Sequence, residues 1–244
     1  MLTEPGPRIT VRGSHTEYRR PERATVQVRV GLEGPAPAAV HAAATRAAAA
    51  LTEDLRDLHD GDRGPVTWWS SDQLRTWAHR PWNQDGKLLP LVHHAQVELQ
   101  AKFSDFDRLS DWLGVAMGVD GVSLQGIDWT LTEARKRDLV EQVRVAAVRD
   151  ARDRAQAYAD ALGLGPVRVV ALADAGMLGE GLAPTGGVGI ASFARGAAGG
   201  GELAFTPQDV AVSTQVDAVF VTGPSTDSSA ASHCVPSPPR TSAA

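Results

Sequence analysis

Four of the six tryptophans, Trp68, Trp69, Trp77 and Trp82, fall within fifteen residues of one another. An exposed indole offers a flat apolar surface with a polar N–H at its rim, which suits it to stacking on a sugar or anchoring a partner protein. On an unbroken strand Trp69 and Trp77 have equal parity and share a face, while Trp68 points the other way. The blander use of the same rings is packing under a helix or at a subunit interface. These four residues are the contact candidates of the chain.

Other reactive types are less persuasive. His93 and His94 are adjacent, so on a strand they face opposite ways and cannot easily chelate one metal; His94 and Glu98 share parity, but two ligands do not make a site. His233-Cys234 pairs a nucleophile type with a base in a Ser/Pro-rich tail, where nothing would hold a reactive geometry. Gly187-x-Gly189 is followed by Ser192 rather than a third glycine and lacks a strand-to-helix context, so no dinucleotide fingerprint forms. Asp105, Asp107 and Asp111 crowd a short helix, where the early ones favour its N-terminal dipole end. Arg135, Lys136 and Arg137 are flanked by Glu133 and Asp138 and read as a solvated helix face. No metal, cofactor or catalytic residue is assigned, and the expectation is a protein that is not an enzyme.

The elements that position these residues follow from hydrophobic period. Ala24, Val26, Val28, Val30 and Leu32 alternate with polar residues, as a half-buried strand requires, and Ile9 and Val11 start a shorter pattern. With Arg19–Glu22 as the connection, the two predict a β-hairpin. Val40, Ala44, Ala47, Leu51, Leu55 and Leu58 then mark a helix that stops at Gly61. A strand pair, Val66–His79 and Leu91–Phe103, is joined by a turn containing Asp85-Gly86. Ala95, Val97, Leu99, Ala101 and Phe103 point inward. A short helix from about Asp105 leads to a strand over Val119–Thr130, bulged at Gly126. Thr130 and Glu133 are spaced as a capping box for the longest helix, whose stripe is Leu139, Val143, Ala147, Ala151, Ala155, Tyr158 and Leu162. Glu133/Arg137 and Asp150/Arg154 add ion pairs on its exposed side, and Gly163 and Pro166 end it. Val167–Asp174 and Pro207–Thr222 are strands. The order ββαββαβαββ gives an α+β fold of antiparallel hairpins packed with helices, rather than a doubly wound parallel sheet.

Composition sets the class. With 244 residues, 43% apolar and 22% charged, the chain can build a proper core, and a net charge of −5 gives no reason to expect nucleic acid as a partner. One cysteine excludes an internal disulfide. The N-terminus as written has no basic region followed by an apolar one, and no membrane-spanning run occurs, so a soluble, cytoplasmic chain is expected. Residues 1–7 read as a flexible start and 8–222 as one domain. Within it, 175–206 reads as a mobile loop, ten glycines falling in the 27 residues from Ala175 to Gly201. The tail 223–244, with six serines and four prolines, is expected to be disordered.

Ile9-Thr-Val11-Arg-Gly13, followed by Pro21-Glu-Arg-Ala24-Thr-Val26, resembles the I-x-V-x-G then P-x-x-A-x-V opening of the SIMPL domain family. Asp150-Ala151-Arg152-Asp153-Arg154-Ala155, continuing through Ala159, Leu162, Gly163 and Val167, is similar to that family's D-A-R-x-[KR]-A…A-x-x-L-G…V signature. Val210-x-Val212 and Val216-x-Ala218-x-Phe220 fit its last strand. The resemblance implies a homo-oligomer or a protein partner, since one bacterial member assembles into a large ring and an animal member associates with a pelle-like signalling kinase. It implies no catalytic residues. Bacterial members are mostly periplasmic or envelope-associated, and the chain departs from them in lacking a recognisable export signal and in placing tryptophans where relatives tend to have tyrosines. The expected function is self-assembly or protein binding; the alternative is a small-ligand or glycan-binding module built on the tryptophans.

Overall fold

A computed structural model describes residues 6–178, 189–191 and 206–222. The expected flexible start up to residue 5, most of the glycine-rich loop and the Ser/Pro tail, with His233 and Cys234, lie outside them, as does Gly187. The elements in chain order are β1 (Arg8–Arg19), β2 (Arg23–Gly34), α1 (Pro37–Leu58), β3 (Val66–Ser71), β4 (Arg75–His79), β5 (Val92–Phe103), α2 (Phe106–Ala116), β6 (Val122–Thr130), α3 (Glu133–Ala161), β7 (Val167–Asp174), β8 (Gly189–Ala191) and β9 (Val210–Thr222). This is the expected α+β order, with the strand read over Val66–His79 divided in two and a short strand, β8, inside the segment read as a loop. The described residues form two compact units, one of residues 15–145, 189–191 and 206–214, the other of residues 6–14, 146–178 and 215–222.

The larger unit is built on a five-stranded antiparallel sheet in the order β3-β5-β2-β6, with β4 also paired to β5. Alternation decides its two faces. Ala24, Val26, Val28 and Val30 of β2 oppose Phe103, Ala101, Leu99 and Val97 of β5, and all eight are at most 4% exposed. Leu51 and Leu55 of α1 and Leu109, Trp112 and Leu113 of α2 belong to the same core. Each fully buried Val, Leu or Phe is worth about 1.5–3 kcal/mol over leaving it in water. The other face carries Thr25, Gln27, Arg29 and Glu33 opposite Lys102, Gln100, Glu98 and His94, a polar surface that no helix needs to cover.

Several expectations change. β1 and β2 do not form a hairpin: β2 has β5 on one side and β6 on the other, and β1 pairs with β9 in a second sheet of order β1-β9-β7, with β8 also on β9. The bulge in β6 falls at Gln125, beside Gly126, where the register with β2 shifts between Gln27 and Val28. Helix α3 is capped by Thr132, not Thr130: Thr130 still belongs to β6, and the Thr132 hydroxyl accepts the Arg135 N–H (3.4 Å). Glu22 completes the cap from a distance, its carboxylate accepting both the Thr132 N–H (3.1 Å) and its hydroxyl (2.6 Å). The Thr132 hydroxyl thereby holds the Glu22 carboxyl below its ordinary pKa. Glu133 meets Lys136 (4.0 Å) rather than Arg137, whose guanidinium bonds the Glu133 backbone oxygen. The expected Asp150–Arg154 pair is present at 3.1 Å.

In the smaller unit the α3 stripe runs through Ala147, Ala151, Ala155 and Ala159, all 0% exposed, whereas Tyr158 and Leu162 are 57% and 70% exposed. Counting on by four from Ala155 reaches Ala159, and Tyr158 falls off the stripe. Ala147, Ala151 and Ala155 pack with Val11 of β1 and with Val216, Ala218 and Phe220 of β9. Gly163, at φ +67°, ends the helix in the left-handed region as expected.

Helix α2 begins as its carboxylates suggested. Asp105 is the N-cap, its side chain accepting from the backbone N–H groups of Asp107 (3.0 Å) and Arg108 (3.1 Å). Asp105→Ala is expected to cost about 1 kcal/mol in chemical denaturation, because two helix N–H groups lose their side-chain partner.

Candidate functional site

The tryptophans collect on one edge of the five-stranded sheet. β3 pairs with the C-terminal half of β5, from Val66↔Phe103 to Ser71↔Leu99. β4 continues along the N-terminal half, from Arg75↔Gln96 to His79↔Val92. The join is not in register: four steps from Ser71 to Arg75 pass three on β5, and an earlier extra residue lies between Val66 and Trp68. Each extra residue flips parity. Directly opposed residues share a face, so Trp68, opposite Lys102, and Trp77, opposite His94, both lie on the polar face. Trp69, opposite Ala101, turns to the helix face, where Arg56 of α1 sits 5.6 Å from its ring centre.

The pairing read from an unbroken strand is therefore reversed. Trp68 and Trp77 share the open face and are 45% and 47% exposed, while Trp69 is half-buried against the core. Trp82 lies in the connection after β4 and is 81% exposed. The β5 partners of Trp68 and Trp77 are eight residues apart, which at about 3.4 Å per residue separates the indoles by roughly 27 Å. Two rings that far apart cannot close on one small molecule.

At the β4 end the indole joins a polar chain. The Trp77 ring stacks on His94 with centroids 5.0 Å apart and planes 7° from parallel. His94 Nε2 lies 2.8 Å from His79 Nδ1, and His94 Nδ1 lies 3.4 Å from a Glu33 carboxylate oxygen. One proton arrangement satisfies the neutral chain. His94 Nδ1–H faces the carboxylate, Nε2 accepts from His79 Nδ1–H, and His79 Nε2 is left as an acceptor. The carboxylate that meets His94 is thus Glu33, while Glu98, the partner suggested by parity, pairs with Arg29 at 3.2 Å. His93 points to the other face, opposite Ala78. Among the described residues no three His, Cys, Asp or Glu side chains gather where they could hold a metal ion.

His79 and Glu33 were not singled out in the sequence, and only the Trp77–His94 pair that they adjoin carried a signal. Pairing residues symmetrically about Asp85-Gly86 places Trp77 opposite His94 directly, as the structure does.

The residues that form the sequence motifs hold the fold together. Ile9 and Val11 pack in the smaller core, and Gly13 meets α3 at Ala147 and Ala151. Asp150 accepts the Ser14 backbone N–H at 2.8 Å and pairs with Arg154. Glu22 caps α3, and Ala24 and Val26 are core. Together with helices on one face of an antiparallel sheet, these contacts define an α+β domain whose signature residues form turns, caps and close strand–helix contacts. The chain belongs to the SIMPL family, described as a protein of unknown function (DUF541), which it matches over residues 9–220. No curated protein matches it. Among the described residues no helix is long and apolar enough to cross a membrane.

Proposed function

We propose that this SIMPL domain protein is a non-enzymatic binding protein that works through self-assembly or a protein partner, using the edge formed by β3 and β4. The observation that carries this reading is β4 itself. All five of its residues are exposed, and among the described residues it pairs only with β5. Its outer N–H and C=O groups are thus a template for an added strand. Trp77, held flat by His94, provides an anchor that loses little freedom on binding.

Light scattering after size exclusion tests this on the full chain. The wild type is expected at a defined multiple of 25.7 kDa, and Trp77→Ala at a lower mass with unchanged circular dichroism. A monomeric wild type would remove self-assembly and leave the partner; an assembly untouched by Trp77→Ala would remove the edge.

The second reading is an extended glycan along the polar face. What favours it is the shared face of Trp68 and Trp77, with Gln100, Glu98 and Gln96 of β5 between their partners. It predicts binding of glycans of several sugars and none of monosaccharides.

A further inference from the structure

The larger unit contains a cleft of about 410 Å³ at the other end of the polar face, away from β4, within the size range of small-molecule sites. Thr25 and Lys102, a cross-strand pair of β2 and β5, form part of its wall. Two further cations, Arg23 and Lys136, line it with a single carboxylate, Glu133. Three positive side chains around one cleft run against the net charge of −5 of the whole chain. They are only partly occupied. Arg23 bonds the Glu22 backbone oxygen (2.7 Å), Lys102 Nζ lies 6.0 Å over the Trp68 ring, and Lys136 reaches Glu133 only at 4.0 Å. The α3 N-terminus is not the attraction, because the Glu22 carboxylate already takes its Thr132 N–H.

The cleft also has an apolar element. Ile190 of β8 lines it and remains 43% exposed, while Val210 and Val212 of β9, next to it in the lining, are buried in the core. Three basic side chains and an exposed Ile190 around one cleft suit a ligand with a charged head and a short hydrocarbon body. Inorganic anions would leave Ile190 in water, and neutral hydrocarbons would leave the cations without a counter-charge.

We propose that this cleft binds a small organic acid, an oxyanion carried on a short apolar body, with Lys102, Arg23 and Lys136 taking the anion and Ile190 the body. Trp68 is then a positioning residue, holding the Lys102 ammonium by its ring face. The site shares Thr67 and Trp68 of β3 with the proposed edge but includes neither β4 nor Trp77, so either assignment can fail alone.

Calorimetric titration of the full chain with hexanoate, hexyl phosphate, hexan-1-ol and inorganic phosphate tests the proposal. One of the two acids is expected to bind saturably at one site per chain, at least about tenfold tighter than the alcohol or inorganic phosphate. Hexanoate binding the tighter identifies a carboxylic acid, and hexyl phosphate a phosphate monoester. Lys102→Met is expected to weaken the better acid at least about fivefold, with Lys136→Met as the second variant should the first melt early. Lys87→Met, in the connection after β4, leaves binding unchanged. Absence of saturable binding by both acids, equal binding of hexan-1-ol, or wild-type affinity in both Lys102→Met and Lys136→Met would overturn the assignment.

Discussion

Gly13→Ala is expected to lower the stability of the chain by about 3 kcal/mol, at the upper end of the range for overpacking. A single added methyl is normally tolerated on a strand, and the reason it is not here is the nature of what it meets. A Cβ at Gly13 would stand 2.1 Å from the Ala147 carbonyl oxygen, 2.6 Å from the Ala151 nitrogen and 2.7 Å from the Ala151 Cβ. The first two are backbone atoms of a helix and have no rotamer to move into. β1 would have to withdraw from α3, and the bond from the Ser14 N–H to Asp150 would stretch or break with it. For a chain of this size, about 3 kcal/mol corresponds to a fall of roughly 6–12 °C in melting temperature. Trimming the facing residue in Gly13→Ala/Ala151→Gly should not rescue the variant, because the two closest contacts are to backbone. Unchanged melting of Gly13→Ala, or full rescue by Ala151→Gly, would mean that β1 is not seated on α3 at this glycine.

That contact explains why parts of the molecule could be read from its sequence and others could not. Gly13 and Ala151 stand in the two motifs that resemble the SIMPL family, but spacing alone does not say that one lies against the other. Strands with one buried face were legible, since β5 must put Ala95, Val97, Leu99, Ala101 and Phe103 on a single side and does so. Pairing partners were not legible. β2 takes β5 and β6 as neighbours, from far along the chain, and nothing in its alternation names them. Local signals also competed: Thr130 and Thr132 both precede Glu133 at plausible distances. The choice fell to Thr132 because Trp129, 5% exposed, keeps the strand going through Thr130, and because Glu22 arrives to complete the cap.

The candidate edge shows the same division. That tryptophans gather in this stretch was plain from composition, but their faces depended on two extra residues, one before Trp68 and one between Ser71 and Arg75. Neither position carries a glycine or proline to announce a break in register, and parity counted across an unmarked bulge inverts every later side chain. The basic cleft was invisible for a different reason. Its lining comes from β2, β3, β5, β6, α3, β8, β9 and the connections between them, so no window of sequence contains more than a fraction of it.

Asp217 is the other position where one substitution should cost most. It is 0% exposed on β9, and its two oxygens are fully used: Oδ1 accepts from Arg12 Nε (2.7 Å), and Oδ2 from Arg12 Nη2 (3.0 Å) and from the Gly176 N–H (2.7 Å). Asp217→Asn keeps the shape but replaces one acceptor by a donor. Either orientation of the amide then points an N–H group at an N–H group. Breaking a buried pair from one side costs about 3–5 kcal/mol, and since the Arg12 side chain is 26% exposed the lower figure is expected here. The pH dependence follows from the hydrogen bond with Arg12, which lowers the Asp217 pKa. Burial works the other way, while the Gly176 N–H and the Arg12 charge reinforce the lowering. A carboxyl whose folded pKa lies below its unfolded value of about 3.9 stabilises fully above that value, and loses the contribution as pH falls through the folded pKa. The gap in melting temperature between wild type and Asp217→Asn should therefore be widest near neutrality and narrow on acidification below about pH 4. Arg12→Met/Asp217→Asn should be less damaged than the sum of the two single variants, since removing both charges leaves neither one unpaired. Strict additivity, or a gap that stays constant into acid, would show that the Asp217 charge does not contribute through its pair with Arg12.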